Sequence, residues 1–435
     1  MKRLKLFLST ICLLSASVCL CSCAQSDRTV KQQPLKLIEN QTDLAREPIA
    51  FVHNNGERMF VCTMKLEAED PGFGTLGYEY LQYVSLWEIK DSPVRLFQMG
   101  SNGCELIDYA ISPDGEYFHF LFSDLNRTKT RLITVNLVGD VLDMCDFNMR
   151  EYNYVLSPMQ IVLSDNERVY VSAPSVDGLS GLLEVVNWKT GQVERIETPF
   201  CIQDLCYNEG KPVAAGFTRK MEDETCAFVQ RGEPWLDMDS DGMMALQQGW
   251  RYSVAILNEQ WGIEKELVTS NDIEIDRIVV SNNDLFIFRH SGTRYPYVEN
   301  SEIYKLENYN RSRCKSLSRL PSILLDEQPL GYEESRELTY SWNYGQPYLL
   351  QSGSFVIPYT KAKMVQWDYA QESIVGFYRV EPSSFQVEDF TQTIPAVATS
   401  CNITCDNNGL PTCFYFGANL FSADNKSLYS CSFQE

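Results

Sequence analysis

Short apolar runs separated by clusters of Asn, Asp, Gly and Ser fill most of the chain from residue 48 onward. The clearest example is Ile111–Phe122, where Ser-Pro-Asp-Gly lies between an apolar run and the run Tyr-Phe-His-Phe-Leu-Phe. Asn, Asp and Gly favour tight turns because they tolerate positive φ or bond their own backbone. The pattern therefore predicts β-hairpins. No stretch shows the sustained periodicity of an amphipathic helix.

Seven hairpins of this kind are predicted, with turns centred near residues 55, 114, 165, 209, 283, 353 and 407. A second hairpin follows most of them, such as Leu132–Leu137 with Val141–Phe147. The spacing between turns is typical of repeated four-stranded units.

Second hairpins are likewise predicted in the fifth and sixth units, and the seventh is incomplete. The fifth pairs Glu302–Leu306 with Ser316–Leu320, and the sixth pairs Val365–Tyr369 with Ile374–Val380. The seventh unit ends after the single run Leu428–Phe433. A strand near 34–38 is expected to complete it if the two ends of the chain meet.

The turn Ser112-Pro113-Asp114-Gly115, followed by Tyr117, Phe118 and Phe120, resembles the TolB-like and WD40-like propeller repeat. This resemblance implies an all-β fold and a single β-propeller, with seven blades expected and six as the next choice. A tandem of β-sandwiches is the alternative. The expected organisation is a signal peptide over 1–22, a lipidated tether over 23–46 and a propeller domain over 47–435.

The first residues are typical of an export signal. Lys2, Arg3 and Lys5 precede an apolar run that is too short for a comfortable membrane span. Leu20-Cys21-Ser22-Cys23 resembles a bacterial lipobox, which implies cleavage after Ser22 and attachment of diacylglycerol to Cys23. The expected product is an acylated (palmitate-bearing) lipoprotein of the cell envelope, anchored in the outer membrane. An ordinary signal peptide with a coincidental cysteine is the alternative.

The net charge of the chain restricts the classes of partner that it can bind. The chain has 37 basic and 58 acidic residues in 435, a formal charge of −21. Removal of residues 1–22 takes away three bases and no acid, which leaves 34 against 58, or −24. Such a chain repels nucleic acid and anionic lipid headgroups. A hydrophobic share of 44% is ample for a buried core.

Asp237, Asp239 and Asp241 alternate along the chain and precede Gly242. Carboxylates spaced in this way in a tight loop suit Ca²⁺ as a bound ion. The position of the twelfth ligand in an EF-hand is Gln248 here, so this is not a standard EF-hand. A solvated acidic turn is the alternative.

Two aromatic stretches are candidates for a binding surface. One contains Tyr332, Tyr340, Trp342 and Tyr344 among polar residues, and the other, His290–Tyr297, includes Arg294 and Tyr295. Aromatic faces beside amides and carboxylates suit sugar rings. Both stretches fall on corresponding connections and are expected at one mouth of the ring. Packing between blades is the alternative.

Eleven cysteines remain after the lipidation site. Cys401, Cys405, Cys413 and Cys431 have the residue types of a zinc site, but their spacing fits no common zinc pattern. Disulfides between neighbouring strands, or buried thiols, are the other interpretations.

No catalytic motif is present. The three histidines His53, His119 and His290 fall in three different units, and His119 is expected in a structural position on a strand. There is no G-x-S-x-G, HExxH, P-loop or Rossmann pattern. The sequence favours a non-catalytic binding or scaffold module for a glycan or protein partner. The alternative is a hydrolase or lyase acting on a polysaccharide or peptide at the propeller mouth.

Overall fold

The structure is a computed structural model, and the ranges that it describes are 28–31, 36–38, 49–69, 79–102, 104–124, 129–148, 152, 157, 159–219, 250–271, 273–281, 283–290, 298–311, 313–329, 339–365, 368–384, 386–394, 398, 400–405, 411–416 and 428–432. In these ranges the chain is almost entirely β-strand. Two 3₁₀ helices, Tyr309–Arg311 and Leu317–Arg319, are short. No helix in the described ranges has the length and apolar character needed to cross a membrane.

The strands of the first half, in chain order, are β1 (Arg28–Lys31), β2 (Lys36–Ile38), β3 (Ile49–Asn54), β4 (Met59–Glu69), β5 (Glu79–Ile89), β6 (Val94–Asn102), β7 (Cys104–Ile111), β8 (Tyr117–Asp124), β9 (Lys129–Asn136), β10 (Val141–Asn148), β11 (Gln160–Ser164), β12 (Arg168–Pro174), β13 (Gly181–Asn187), β14 (Gln192–Thr198), β15 (Cys201–Asn208) and β16 (Lys211–Arg219). Those of the second half are β17 (Trp250–Leu257), β18 (Ile263–Ser270), β19 (Arg277–Ser281), β20 (Asp284–His290), β21 (Val298–Leu306), β22 (Lys315–Ser316), β23 (Ser322–Pro329), β24 (Thr339–Tyr344), β25 (Tyr348–Leu349), β26 (Phe355–Val365), β27 (Asp368–Glu381), β28 (Gln386–Ile394), β29 (Ser400–Cys405), β30 (Pro411–Phe416) and β31 (Leu428–Ser432).

These strands form seven antiparallel sheets, which we number in chain order. Sheets 1 to 3 are β3–β6, β7–β10 and β11–β14. Sheet 4 is β15–β18 with β22 added in parallel, and sheet 5 is β19, β20, β21 and β23. Sheet 6 is β24–β28 with β1 added in parallel, and sheet 7 is β29–β31 with β2. First strands of neighbouring sheets contact one another in the pairs β7–β11, β11–β15, β15–β19, β24–β29 and β29–β3, so the first strands surround the axis of the molecule.

A separate hydrophobic cluster fills each of the seven interfaces between neighbouring sheets. Phe51 and Phe120 belong to the cluster between sheets 1 and 2, and Phe288 and Tyr359 to that between sheets 5 and 6. The cluster between sheets 7 and 1 contains Val52 and Phe414 and closes the circle. Seven interfaces for seven sheets define a closed ring. The predicted all-β propeller with seven blades is confirmed, and the six-bladed and β-sandwich alternatives are excluded.

The two ends of the chain meet in sheet 7. β2 pairs antiparallel with β31, with Leu37 opposite Tyr429, and is the outer strand of that sheet. The last sheet therefore combines three strands from the end of the chain with one from its beginning. Among the described strands, the three residues of β2 pair with β31 alone, so the two ends of the chain are joined by a short stretch of sheet.

Two predicted hairpins are wrong. In sheet 5, Ser316–Leu320 is not the partner of β21, because β23 occupies that place and β22 lies along the outer edge of β18. In sheet 6, Val365–Tyr369 spans the connection between two long strands rather than forming one strand. β28, which completes sheet 6, was not predicted, because its mixed polar and apolar sequence contains no apolar run.

The two ends of the ring differ. We call the end at which the first strands begin the upper face, and the opposite end the lower face. Every connection between a second and a third strand, or from one sheet to the next, is at the upper face. The longest of these connections are 149–159, 220–249 and 417–427. Most lower-face connections are tight turns, and the long one among them is 307–321.

Side-chain hydrogen bonds join the first strands of adjacent sheets. The backbone N–H of Ile161 donates to Asp108 Oδ2 at 2.7 Å, and that of Ile278 donates to Asp204 Oδ2 at 2.6 Å. Asn402 accepts from the N–H of Val52 at 3.2 Å and so joins sheet 7 to sheet 1. Asp108 and Asp204 each follow a β-bulge in their strand. A bulge re-aims the side chains that follow it, which suits this cross-sheet role.

Candidate functional site

A cavity of about 330 Å³ lies near the upper face, between sheets 5 and 6 and beside the first strands of sheets 3 and 4. This volume is in the range of sites for small ligands. Its walls combine amide, guanidinium and carboxylate groups with apolar side chains. The lining residues are Gln160, Gln203, Asp276, Arg277, Phe288, Arg289, Ser301, Glu302, Leu325, Tyr344, Gly345, Gln346, Pro347 and Ile357.

Arg289 and Glu302 form one charged pair of the wall. They are direct cross-strand partners on β20 and β21, and Arg289 Nη1 lies 3.1 Å from Glu302 Oε2. The hydroxyl of Tyr304 also donates to Glu302. Burial and this bond raise the pKa of Tyr304 to about 12, so its hydroxyl stays protonated at neutral pH. Arg289 is 8% exposed, and the pair compensates a charge that would otherwise be costly to bury.

Arg277 and Asp204 form the second pair, at the first strands of sheets 5 and 4. Arg277 Nη1 lies 3.5 Å from Asp204 Oδ1. Burial raises the pKa of Asp204 above its ordinary value, while Arg277 and the N–H of Ile278 oppose that shift. Arg277 is 37% exposed and borders the cavity, so part of its guanidinium faces the open space. With Arg289 and Glu302, the two pairs balance in charge.

Two glutamines supply neutral hydrogen-bonding groups. Gln160 Nε2 donates to the carbonyl of Ile202 at 3.2 Å, which fixes its amide beside the cavity. Gln203 Oε1 is buried and has no hydrogen-bond partner among the described residues. A buried acceptor without a partner loses free energy unless a ligand or water bonds it. Gln203 therefore gains a hydrogen bond if a ligand presents a hydroxyl or an amide N–H to it.

The opposite wall is aromatic and apolar. The Tyr344 ring packs against those of Tyr359 and Tyr378, with centroids 6.3 and 6.5 Å away. Tyr359 and Tyr378 stack at 4.5 Å, and Tyr359 donates to Asp389 at 2.7 Å. These contacts hold the Tyr344 ring in place at the cavity. Phe288, Leu325 and Ile357 complete the apolar surface.

Of the residues predicted to bind a ligand, the structure places Tyr344 in the cavity wall. Tyr340 and Trp342 lie on β24, which leads into that wall, but their side chains are outside the described part of the structure. Tyr332, Arg294 and Tyr295 lie outside the described residues. The connections that contain these three leave from the upper face, the face of the cavity.

The charged and amide residues of the wall were not predicted from the sequence. One usable signal is Arg289, a charged residue that ends the apolar run Leu285–Phe288, because a charge in a buried strand usually has a partner or a function. A second is the pair Asp276-Arg277 directly before an apolar run.

The structure does not test the predicted metal ligands or the predicted lipidation site. Asp237, Asp239 and Asp241 lie outside the described residues, as does Cys23. Within the described ranges no group of three or more His, Cys, Asp or Glu side chains is arranged to hold a metal ion.

The cysteines of sheet 7 are buried beside one another. Cys413 lies directly opposite Cys431 on β30 and β31, and the nine described cysteines form no disulfide in this structure. Burial raises the pKa of Cys401 to about 12 and that of Cys431 to about 11. Thiols with such pKa values are weak nucleophiles at neutral pH.

No family model matches the sequence, and no curated protein matches it. Among solved structures, the β-propeller domain of the Trilobed protease from Pyrococcus furiosus is 10% identical, with a TM-score of 0.43 over 88% of this chain and 95% of that chain. The C-terminal WD40 domain of Sif2 is 8% identical, with a TM-score of 0.41 over 93% and 100%. The acylaminoacyl peptidase of Pyrococcus horikoshii is 10% identical, with a TM-score of 0.44 over 92% of this chain and 54% of that chain.

These likenesses concern the fold and give no ligand or activity. The order and pairing of the strands define the class on their own: this chain is a β-propeller of seven blades, each sheet being one blade. Propellers present the loops of every blade around one mouth. In this chain the long connections 220–249 and 417–427 are at the same mouth as the cavity.

Proposed function

We propose that this protein is an exported, lipid-anchored propeller that binds a glycan in the upper-face cavity without chemical conversion. The observation that supports the proposal is the composition of the cavity wall. Planar polar side chains (Gln203, Arg277 and Glu302 among them) face an apolar side that includes Tyr344 and Phe288.

A sugar fits this combination for two reasons. Each sugar hydroxyl both donates and accepts, and the wall offers donors from arginine, acceptors from carboxylates and both from amides. The C–H faces of a sugar ring pack on aromatic and aliphatic side chains. Because the two arginines are each paired with a carboxylate, neither guanidinium is an uncompensated charge that would require an anionic ligand.

Catalysis is less well supported by the same geometry. Glycoside hydrolysis uses one carboxylic acid as a proton donor and a second carboxylate. Glu302 already accepts from Arg289 and Tyr304, so it is poorly arranged to deliver a proton. Asp276 is the other carboxylate of the wall. A hydrolase or lyase acting at this mouth is therefore an outcome to be tested.

The test is a glycan array probed with the mature protein, beside its Trp342→Ala variant. Binding of a defined group of glycans by the mature protein, with intact glycans recovered by mass spectrometry, supports the proposal. Weaker binding by Trp342→Ala would extend the site along β24. Shortened or unsaturated glycans after incubation would favour the enzyme, and an array without binding would favour a protein partner.

The anchor is tested separately by growth with radiolabelled palmitate. We expect the wild-type chain to carry the label and Cys23→Ala to lose it. Equal labelling of both chains would contradict lipidation at Cys23. The predicted Ca²⁺ loop is tested by calorimetric titration of Ca²⁺ with Asp239→Ala as the comparison, and absence of heat with the wild type would contradict Ca²⁺ binding.

A further inference from the structure

The path of β1 determines where the beginning of the chain leaves the propeller. β1 runs parallel to β28 on the outer edge of sheet 6, with Arg28 opposite Val387 and Lys31 opposite Phe390. Val387 is the second residue of β28, and that strand begins at the lower face. The residues before Arg28 therefore start from the lower end of sheet 6, away from the cavity.

The short distance along the chain limits the position of Cys23. Five residue steps separate Cys23 from Arg28, and a fully extended chain spans at most about 18 Å over them. From Val387 to Ile394, at the upper end of β28, the sheet rises by seven residues, or about 23 Å. Even a segment that doubled back along the sheet would stop short of the upper face.

The lower face has a feature of its own. The outer strands of sheets 1 to 4 begin there, and an apolar side chain is exposed at the start of each one. These are Val94 at 44%, Val141 at 44%, Val193 at 46% and Ile263 at 45%, and Val138, in the adjoining turn, is 62% exposed. Exposed apolar side chains thus recur at one level along the lower rim of four successive sheets.

We infer that the lower face lies against a lipid surface and that the cavity opens away from it. The inference rests on the proposed lipid anchor at Cys23. It goes beyond that anchor by assigning which face of the ring contacts the membrane. It also means that a glycan reaches the cavity from the side opposite the membrane.

Charge specifies the kind of lipid surface. Among the lower-face cations, Lys90, Lys189 and Lys211 each lie within salt-bridge distance of a glutamate. These three lysines therefore add little net positive charge beside the apolar rim. Contact by such a surface does not need anionic headgroups, so zwitterionic phosphatidylcholine is a suitable membrane for the test.

The experiment uses the full lipidated protein in phosphatidylcholine vesicles that contain a nitroxide-labelled lipid as quencher. A fluorescent amino acid replaces Val138 in one variant and Val176 in the other. The two valines are a matched pair, 62% and 59% exposed, in turns at the lower and the upper face. We expect the probe at 138 to lose fluorescence in the vesicles and the probe at 176 to keep it.

Equal quenching at both positions, or stronger quenching at 176, would overturn the assigned orientation. Cosedimentation of each variant with the vesicles, compared with Cys23→Ala, separates this result from failure of the anchor. If the chain with Cys23 does not cosediment with the vesicles, the proposed anchor is wrong and so is the orientation that rests on it. If it cosediments and the probes respond alike, the anchor stands and only the orientation is wrong.

Discussion

The turn Ser112–Gly115 shows how single residues specify this fold. The Ser112 hydroxyl donates to Asp114 Oδ1 at 2.5 Å and accepts from the N–H of Tyr117 at 3.0 Å, and Gly115 has a φ of +71°. Asp114 is thus a turn residue, as the sequence indicated. Ser175–Gly178 repeats the same bonds at the upper face, and its Ser-x-Asp-Gly spacing was a signal that could have been used.

Substitution of Gly115 tests the local cost of this turn. A Cβ at Gly115 would meet His53 Nε2 at 3.0 Å in addition to the positive φ. Gly210 has a φ of +80° with nothing within 4 Å, and it is the matched control. We expect Gly210→Ala to lower the free energy of unfolding by about 1–2 kcal/mol and Gly115→Ala by more. Equal losses in denaturant titration would show that the His53 contact costs nothing.

His119 predicts a pH dependence of stability. The side chain is fully buried on β8, and its Nδ1 lies 3.0 Å from Thr134 Oγ1. Burial lowers the pKa of His119 from 6.5 to about 4. The folded state therefore favours the neutral imidazole of His119. The contribution of this imidazole to the free energy of unfolding is fully present above pH 6.5 and is lost as the pH falls towards 4.

The lowered pKa of His119 corresponds to a loss of about 3 kcal/mol in the free energy of unfolding between pH 6.5 and 4. The comparison is with His119→Gln, which has no group that titrates in this range. We expect the stability of the wild type to fall more steeply than that of the variant over that window. Parallel curves in denaturant titrations at several pH values would contradict a buried neutral imidazole.

At the level of strands and sheets, prediction from the sequence succeeded where each hairpin is short and local. The Asn, Asp and Gly turns and the flanking apolar runs placed strands in all seven sheets. The prediction failed where a strand is long and mixed in polarity, as in β28, or where a distant strand intervenes, as with β22. Those pairings depend on neighbours that are remote in sequence, and a local pattern does not contain them.

Ring closure by β2 gives a test with truncated chains. Removal of residues 23–32 deletes β1, which is an addition to the edge of sheet 6, whereas removal of 23–46 also deletes β2 from sheet 7. We expect the longer truncation to lower stability by about 2–4 kcal/mol more, the worth of a few backbone hydrogen bonds. Thermal unfolding of both chains measures this, and equal midpoints would show that β2 does not stabilise the ring.

For the molecule as a whole, the ring was predictable and the cavity was not. The number of blades follows from counting hairpins, and the upper mouth follows from the long insertions. The cavity instead combines Gln203, Arg277 and Tyr344 from three different sheets with the cross-strand pair Arg289–Glu302. The packing of the sheets around the axis determines which polar residues converge, and no local sequence motif predicts that packing.

Whether that cavity is the binding site is decided by calorimetric titration of the best glycan from the array. The pair of variants is Gln203→Met, which removes the buried amide with little change of volume, and Gln192→Met, an exposed control on β14. We expect Gln203→Met to raise the Kd by about tenfold, the equivalent of about 1.4 kcal/mol, and Gln192→Met to leave the Kd unchanged. Unchanged affinity in both variants would place the glycan outside this cavity.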